Sequence, residues 1–583
     1  MSNFLLPFVL LFIAGCSSAS FVYKNTTQVV DKENEQYQYS APWDKKMFES
    51  FYQNKKDVGE IDEVKGAIIP HHLLAGYMPA TLLDYLKKQN SSTIVLIGPN
   101  HFSRGHSNII TSNLDWKTPF GIVKASRGII SEISGRQSAG IEESVVKEEH
   151  SIYSLVSFIA KSLPNAKVVP LILKNNIKDE EMDGLITVLE KELPEDAVIV
   201  SSIDFSHYQP VPVAAFHDEL SKAVIKNFDF SRLSKLEIDS TPSLYVLLKL
   251  MEKYETKNPV YEMYDNPGQT SHYSVWFGDG QKNEEKVASV LFLGDTMLDR
   301  NVAERAKENG ADWLFSALAG EENRFFSGMD EIHANLEGPF ADSRRQTSKS
   351  IAFRFDPALI PTLEKYNFSI FDLANNHTLD MGKQGFEEAK KNLQNAGLAF
   401  YGAQYGIDSL IREIGGLKIG FVAFNDTNVQ VDVEKLKEEI IELKNNVDFI
   451  IVSAHWGEEY QFLKSNKHQQ KLARDIIDAG ADIIIGHHPH VVQEMEIYKN
   501  KPIFYSLGNF IFDQYFSTET QQGLAVGLVV SESGWQSVYV FPLQSIQSQV
   551  KLMSGDSLNT FFVQFTQSSQ LDNNKFDNFN LKL

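Results

Sequence analysis

A chain of 583 residues is too long for one hydrophobic core and implies two domains with flanking segments. Its 43% hydrophobic and 22% charged content is ordinary for a soluble globular protein, and a net charge of −21 argues against nucleic acid or an anionic membrane surface as a partner held by charge. A single cysteine, Cys16, excludes an intramolecular disulfide and a multi-thiolate zinc site.

Residues 5–14 (LLPFVLLFIA) form an apolar run of signal-peptide length, too short to cross a bilayer. The sequence Ile13-Ala14-Gly15-Cys16 resembles the lipobox of bacterial lipoproteins. That resemblance implies a signal peptide over 1–16, export, and a lipid on Cys16 as the sole membrane attachment. A plain signal peptide or a buried N-terminal strand is the alternative. Residues 17–40 are polar and aperiodic and predict a tether.

The first domain is expected over 41–280. An apolar run at 64–70 ends in His71-His72, and a helical stretch follows to residue 88. Residues 93–98 (TIVLIG) read as a buried strand ending in Pro99-Asn100-His101. Further strands at 167–173 and 197–202 alternate with helical patterns at 151–163 and 178–192, and an aromatic strand at 272–277 closes the unit. Strands alternating with helices predict an α/β fold with a mainly parallel sheet. Residues 278–286 (GDGQKNEEK) are polar, unpatterned and the best boundary in the chain.

The second domain, 287–543, opens with a buried strand (VASVLFL) running into Gly294-Asp295. Later strands are expected at 418–424, 448–453, 482–485 and 502–506, with helices at 433–444 and 468–479. Residues 544–583, rich in Gln, Asn and Ser, read as a polar tail. Apolar runs deliver Asp295, Asn335-Leu336-Glu337, Asn376-His377 with Asp380, His455 and His488-Pro489-His490 in order. Imidazole, carboxylate and amide oxygens are the donors that hold pairs of divalent Mn, Fe or Zn ions. Strand alternation would turn His488 and His490 to one side.

This ordered set, with Tyr505-Ser506-Leu507-Gly508-Asn509-Phe510 after it, resembles the CapA, or poly-γ-glutamate capsule biosynthesis, family, which is related to the calcineurin-like metallophosphoesterases. The resemblance implies a metallophosphoesterase-type α/β sandwich. It makes Asp295 and His490 ligands of a first metal, Glu337 a bridge, and Asn376, His455 and His488 ligands of a second. His377 becomes the acid or base, oriented by Asp380. One departure is Met297, where metallophosphoesterases carry a ligand histidine; His487 is left unassigned.

In the first domain, His71-His72, Asn100-His101, Glu149-His150 and 202–208 (SIDFSHY) resemble the Memo family, also called AmmeMemoRadiSam system protein B, whose fold is that of class III extradiol dioxygenases. Memo-like pockets pair two histidines with a cysteine, and Asp239 falls at the cysteine's position here. The implied site is His72, His101 and Asp239 around Fe or Cu, with His150 and His207 positioning substrate. His71 is the alternative to His72, and capping of the following helix is the alternative role for Asp239.

The function implied is an envelope-anchored, metal-dependent hydrolase of capsule or cell-surface polymer metabolism, acting on an anionic polymer or a phosphoester. Net charge would repel such a substrate unless bound metal locally inverts the field. The competing readings are a non-catalytic assembly factor that binds polymer or a partner through metal-organised clefts, and an iron oxygenase housed in the first domain.

Overall fold

In the computed structural model, residues 36–136, 138–571, 576–577 and 579–581 are described. The lipobox at Cys16 and nearly all of the expected tether lie outside them. Among the described residues, no helix is long and apolar enough to cross a membrane.

The first domain is built on one mixed sheet. Its centre is four parallel strands in the order Lys167–Leu173, Thr93–Pro99, Val198–Ser202 and Gly66–Ile69. Apart from the exposed Lys167, these are buried segments rich in β-branched residues, the expected character of a parallel strand covered on both faces. The antiparallel strands His272–Gly278 and Asn258–Asp265 extend one side. On the other side Tyr37–Tyr39 pairs with Asp115–Thr118, so the end of the expected tether belongs to this sheet.

The second domain is a sandwich of two sheets. One runs Ala399–Tyr401, Ile370–Asp372, Glu331–Leu336, Val287–Thr296, Gln522–Ser531 and Gly534–Ile546; the first four are parallel and the last two antiparallel. The other is built around parallel Leu417–Asn425, Phe449–His455 and Ile483–His487. Phe292, Val526, Phe421 and Ile485 meet in the core between the sheets. Helices cover the outer faces. Among them Lys467–Ala479 starts with a reciprocal capping box between Asn466 and Gln469, and buries Leu472, Ala473 and Ile476.

The described residues from 544 onward, expected as a polar tail, are part of this body. Gln549–Leu552 and Asn580–Leu581 pair onto the strand Gly534–Ile546, and the helix Gly555–Ser568 buries Phe561 and Phe565 in the sandwich core. Its aromatic residues are spaced one helical turn apart, a signal that the surrounding Gln, Asn and Ser conceal.

The two domains share a buried junction. Phe216 of the first domain is fully buried, with its ring 5.7 Å from Tyr539 and 5.9 Å from Phe541 of the second.

Candidate functional site

In both sheets of the second domain the parallel strands run the same way, so their C-terminal ends gather polar side chains at one rim. Asp295 lies near the end of Val287–Thr296, Glu337 follows Glu331–Leu336, Asn376 and His377 follow Ile370–Asp372, His455 ends Phe449–His455, and His488 follows Ile483–His487. Two glycines allow the strands to approach. A Cβ on Gly294 would stand 2.1 Å from the Gly508 carbonyl oxygen, and one on Gly486 2.0 Å from that of Tyr505. His488 and His490 do not alternate on a strand as expected. The strand stops at His487, and both residues adopt left-handed backbone, with φ of 95° and 56°. Such conformations cost roughly 1–3 kcal/mol each and persist where the surroundings impose them.

Two donor sets result. Asp295, Glu337 and His490 have ligand atoms within 4.8 Å of one another, and so do Glu337, His455 and His488. Glu337 belongs to both. Asn376 Oδ1 lies 2.9 Å from His455 Nε2, so it stands beside the second set. Among the described residues, both Glu337 carboxylate oxygens are buried with no hydrogen-bond partner, as is His488 Nδ1. A fully buried carboxylate left bare between imidazoles is the environment that a pair of divalent cations completes.

The electrostatics point the same way. Burial, reinforced by Asp295, pushes Glu337 well above the usual carboxylate range despite His490. Burial also acts to raise Asp295, but the adjacent imidazoles of His487 and His490 outweigh it and hold that carboxyl well below the usual range. His488 is lowered to about 3 by burial and by the charge of His490. His490, opposed by burial, is held up to about 9 by Glu337 and Asp295.

His377 stands over Glu337, with Nε2 4.0 Å from its Oε1, while its Nδ1 lies 2.7 Å from Asp380 Oδ2. Asp380 is fixed in turn by Lys349 Nζ at 2.6 Å and by the Phe353 amide at 2.7 Å. Burial lowers the His377 pKa, with Asp380 opposing, so the ring is neutral near pH 7. The carboxylate accepts from Nδ1 and leaves the Nε2 lone pair toward the cleft.

Met297 is fully buried in the apolar cluster beneath the outer helices, and its sulfur accepts the Asp299 amide at 3.1 Å. It offers the first donor set nothing. His487 is buried under the site with Nδ1 3.4 Å from Asp295 Oδ1, so it supports a ligand from behind. Sequence reasoning missed three asparagines with the same task. Asn335 donates to Asp295 Oδ1 at 2.7 Å, Asn375 donates to Asn335 at 3.0 Å, and Asn509 Oδ1 lies 3.0 Å from His490 Nδ1. The only available signal was their place in the motifs that carry the ligands.

In the first domain His71, His101 and His150 converge within 4.8 Å, and so do His71, Asp204 and Asp239. Asp239 Oδ2 lies 3.4 Å from His71 Nε2 and 3.6 Å from His101 Nε2. The expected trio therefore assembles with one exchange: His71 takes the place given to His72. His72 is exposed and stacks on His272 at 5.7 Å. The strand ends at Ile69, and of the two neighbouring histidines only the first turns inward, where Ser202 Oγ meets its Nδ1 at 3.0 Å.

Asp239 is not the helix cap. Ser240 accepts the Ser243 amide and frees the Asp239 carboxylate, whose Oδ1 is buried without a partner. Asp204, which sequence reasoning did not single out, lies 3.2 Å from both His71 Nε2 and His272 Nδ1. His101 is pulled down by burial, yet Asp239 and Glu149 hold it up to about 10; Glu149 Oε1 is 2.7 Å from its Nδ1. His150 stacks on His101 at 4.0 Å. His207 stands outside both converging sets, its amide donating to Glu237 at 2.9 Å. Two imidazoles and a carboxylate with one orphaned oxygen fit a single transition-metal ion.

Residues 289–514 match the family model for bacterial capsule synthesis protein, and residues 35–257 match that for Memo-like protein. The PGA biosynthesis protein CapA of Bacillus subtilis (strain 168) is 31% identical over 309 residues, which are 49% of this chain and 80% of that protein. The capsule biosynthesis protein CapA of Bacillus anthracis is 29% identical over 329 residues, 52% of this chain and 79% of that protein. A MEMO1 family protein of Thermococcus onnurineus (strain NA1) is 30% identical over 208 residues, 33% of this chain and 70% of that protein. The chain thus belongs to the CapA-type bacterial capsule synthesis family through its second domain, and carries a Memo-like domain in front of it.

Proposed function

We propose that the second domain is a metal-dependent hydrolase of capsule or cell-surface polymer metabolism, with an anionic polymer of the poly-γ-glutamate kind or a phosphoester as substrate. The observation that carries this reading is the His377–Asp380 pair aimed at Glu337, because a site that only binds has no need of an oriented, neutral imidazole beside its ligands. Asp295, Glu337 and His490 would hold one divalent ion, and Glu337, Asn376, His455 and His488 the other. When bound, such a pair supplies Lewis-acid activation of a water and of the scissile group. The chain's own contribution is a proton acceptor at His377 Nε2, which afterwards returns the proton to the leaving group. Asp380 stabilises the imidazolium formed in between, and Lys349 keeps Asp380 in place.

In this reading the protein is exported and held to the cell membrane by a lipid on Cys16, and its first domain is a second metal centre, for Fe or Cu, formed by His71, His101 and Asp239. Mass analysis of the mature N-terminus tests the anchor: an unmodified Met1 removes it. The hydrolase is tested by Mn-stimulated cleavage of a generic phosphodiester by the wild type, His488→Ala and His377→Ala. Metal loss in the first variant, and loss of turnover with metal retained in the second, is the expected pattern. Met297, packed in the core where a ligand histidine would stand, favours a second reading in which the centre only organises a polymer- or partner-binding cleft. Metal bound without turnover in any form selects that reading.

A further inference from the structure

The first domain's cluster draws on two segments that are not strands: 203–206, with Asp204, which leads into the short strand His207–Gln209, and 236–240, with Asp239. On the inner side they are tied together. The Asp239 amide donates to Asp204 O at 3.1 Å, and the Asp204 amide to Asp239 Oδ2 at 3.1 Å. On the outer side the fastener is Glu237, 4% exposed, whose Oε2 accepts the His207 amide and whose Oε1 pairs with Arg324. Arg324 belongs to the second domain.

More of that domain reaches the same segment. The Gly328 amide donates to Lys235 O at 2.9 Å, Lys235 Nζ donates to Asp330 O, and Arg232 Nη1 donates to Val287 O at 2.8 Å. Arg324 is presented by a distorted turn. Glu322 and Asn323, neither of them glycine, are both left-handed, with φ of 55° and 59°. Successive strained residues directly before an interdomain ion pair indicate a conformation imposed by the docked surfaces.

We propose that Arg324 is a positioning residue for the first domain's histidine–carboxylate cluster, holding Glu237 so that Asp239 and the His207 segment keep the spacing the cluster needs. The first centre is then complete only while the second domain is docked against it, which gives the fusion of the two domains a physical purpose. This inference rests on the reading of the cluster as a metal centre.

The test uses the full chain with the second centre silenced by His488→Ala and His490→Ala. Hydrogen exchange of residues 203–209 and 236–240 is measured without metal, and Co²⁺ affinity is measured by visible absorption, with Asp239→Ala as the control that locates the ion. Arg324→Ala is expected to speed exchange in both segments and to weaken Co²⁺ by roughly 10–100-fold, the usual effect of losing a group that orients a ligand. Arg324→Lys, which keeps the charge, should recover part of both. Exchange unchanged in Arg324→Ala overturns the proposal whatever the ion does. Faster exchange with unchanged Co²⁺ affinity overturns it as well, because the pair would then be structural only. Failure of the Arg324-intact protein to bind Co²⁺ through Asp239 removes the metal-centre reading instead, and the exchange result alone then judges the clamp.

Discussion

Replacing Glu337 by Gln should remove most of the stability that metal loading adds while leaving the metal-free protein nearly unchanged. Both oxygens of this carboxylate are buried with no hydrogen-bond partner. An unsatisfied buried polar group costs about 1–3 kcal/mol, and more when charged. Burial already holds the metal-free carboxyl neutral, so the isosteric amide should leave the metal-free protein about as stable as the wild type. With Mn²⁺ at ~1,000 times its dissociation constant, one occupied site adds about 4 kcal/mol to the wild type. The variant, lacking the shared bridge, should gain little. At about 2–4 °C per kcal/mol for a domain of this class, the wild-type melting temperature rises by roughly 8 °C or more on loading. Scanning calorimetry of both proteins in EDTA and in Mn²⁺ measures each quantity. A Gln variant that Mn²⁺ stabilises as much as the wild type would refute the placement of Glu337 as a bare bridging ligand.

His377→Ala should lower phosphodiester turnover by about 10²–10⁴-fold, the usual size of a general acid–base contribution, without changing Mn content. His101→Ala and Asp239→Ala should remove metal from the first domain while His72→Ala leaves it bound; plasma emission analysis of the second-centre-silenced chain decides this. Asp218, fully buried with one carboxylate oxygen unpartnered, has its pKa raised by burial to about 7. A carboxyl whose folded pKa is raised favours the fold at low pH, so this contribution is present below about pH 4 and is lost as pH rises to about 7. The loss approaches about 4 kcal/mol at 1.36 kcal/mol per unit. Urea unfolding from pH 4 to 8 should therefore show a steeper decline in the wild type than in Asp218→Asn, and parallel curves would contradict the assignment.

The parallel strands at 93–99, 198–202, 287–296, 449–455 and 483–487 were legible because each is a continuous apolar run, whereas Glu331–Leu336 and Ile370–Asp372 are too polar or too short to read as strands, and their ligands were found from the motifs alone. The antiparallel pair Gln522–Ser531 and Gly534–Ile546 was not, since Gly523, Gly527 and Pro542 break the pattern that burial between two sheets would otherwise show. Composition misled at residues 544–583, where scattered Phe561 and Phe565 matter more to packing than the polar majority around them. Which of His71 and His72 faces the pocket depends on how the chain leaves the strand at Pro70, which pattern alone leaves open. The supporting residues Asn335, Asn509 and Arg324 act through distant partners, so only the three-dimensional arrangement reveals them.

Whether Glu337 joins two ions can be read from electron paramagnetic resonance of the Mn²⁺-loaded full chain with the first centre silenced by Asp239→Ala. A bridged centre gives an exchange-coupled pair whose spectrum collapses to isolated ions, or disappears, in Glu337→Gln. A six-line spectrum of isolated Mn²⁺ at every loading would contradict it.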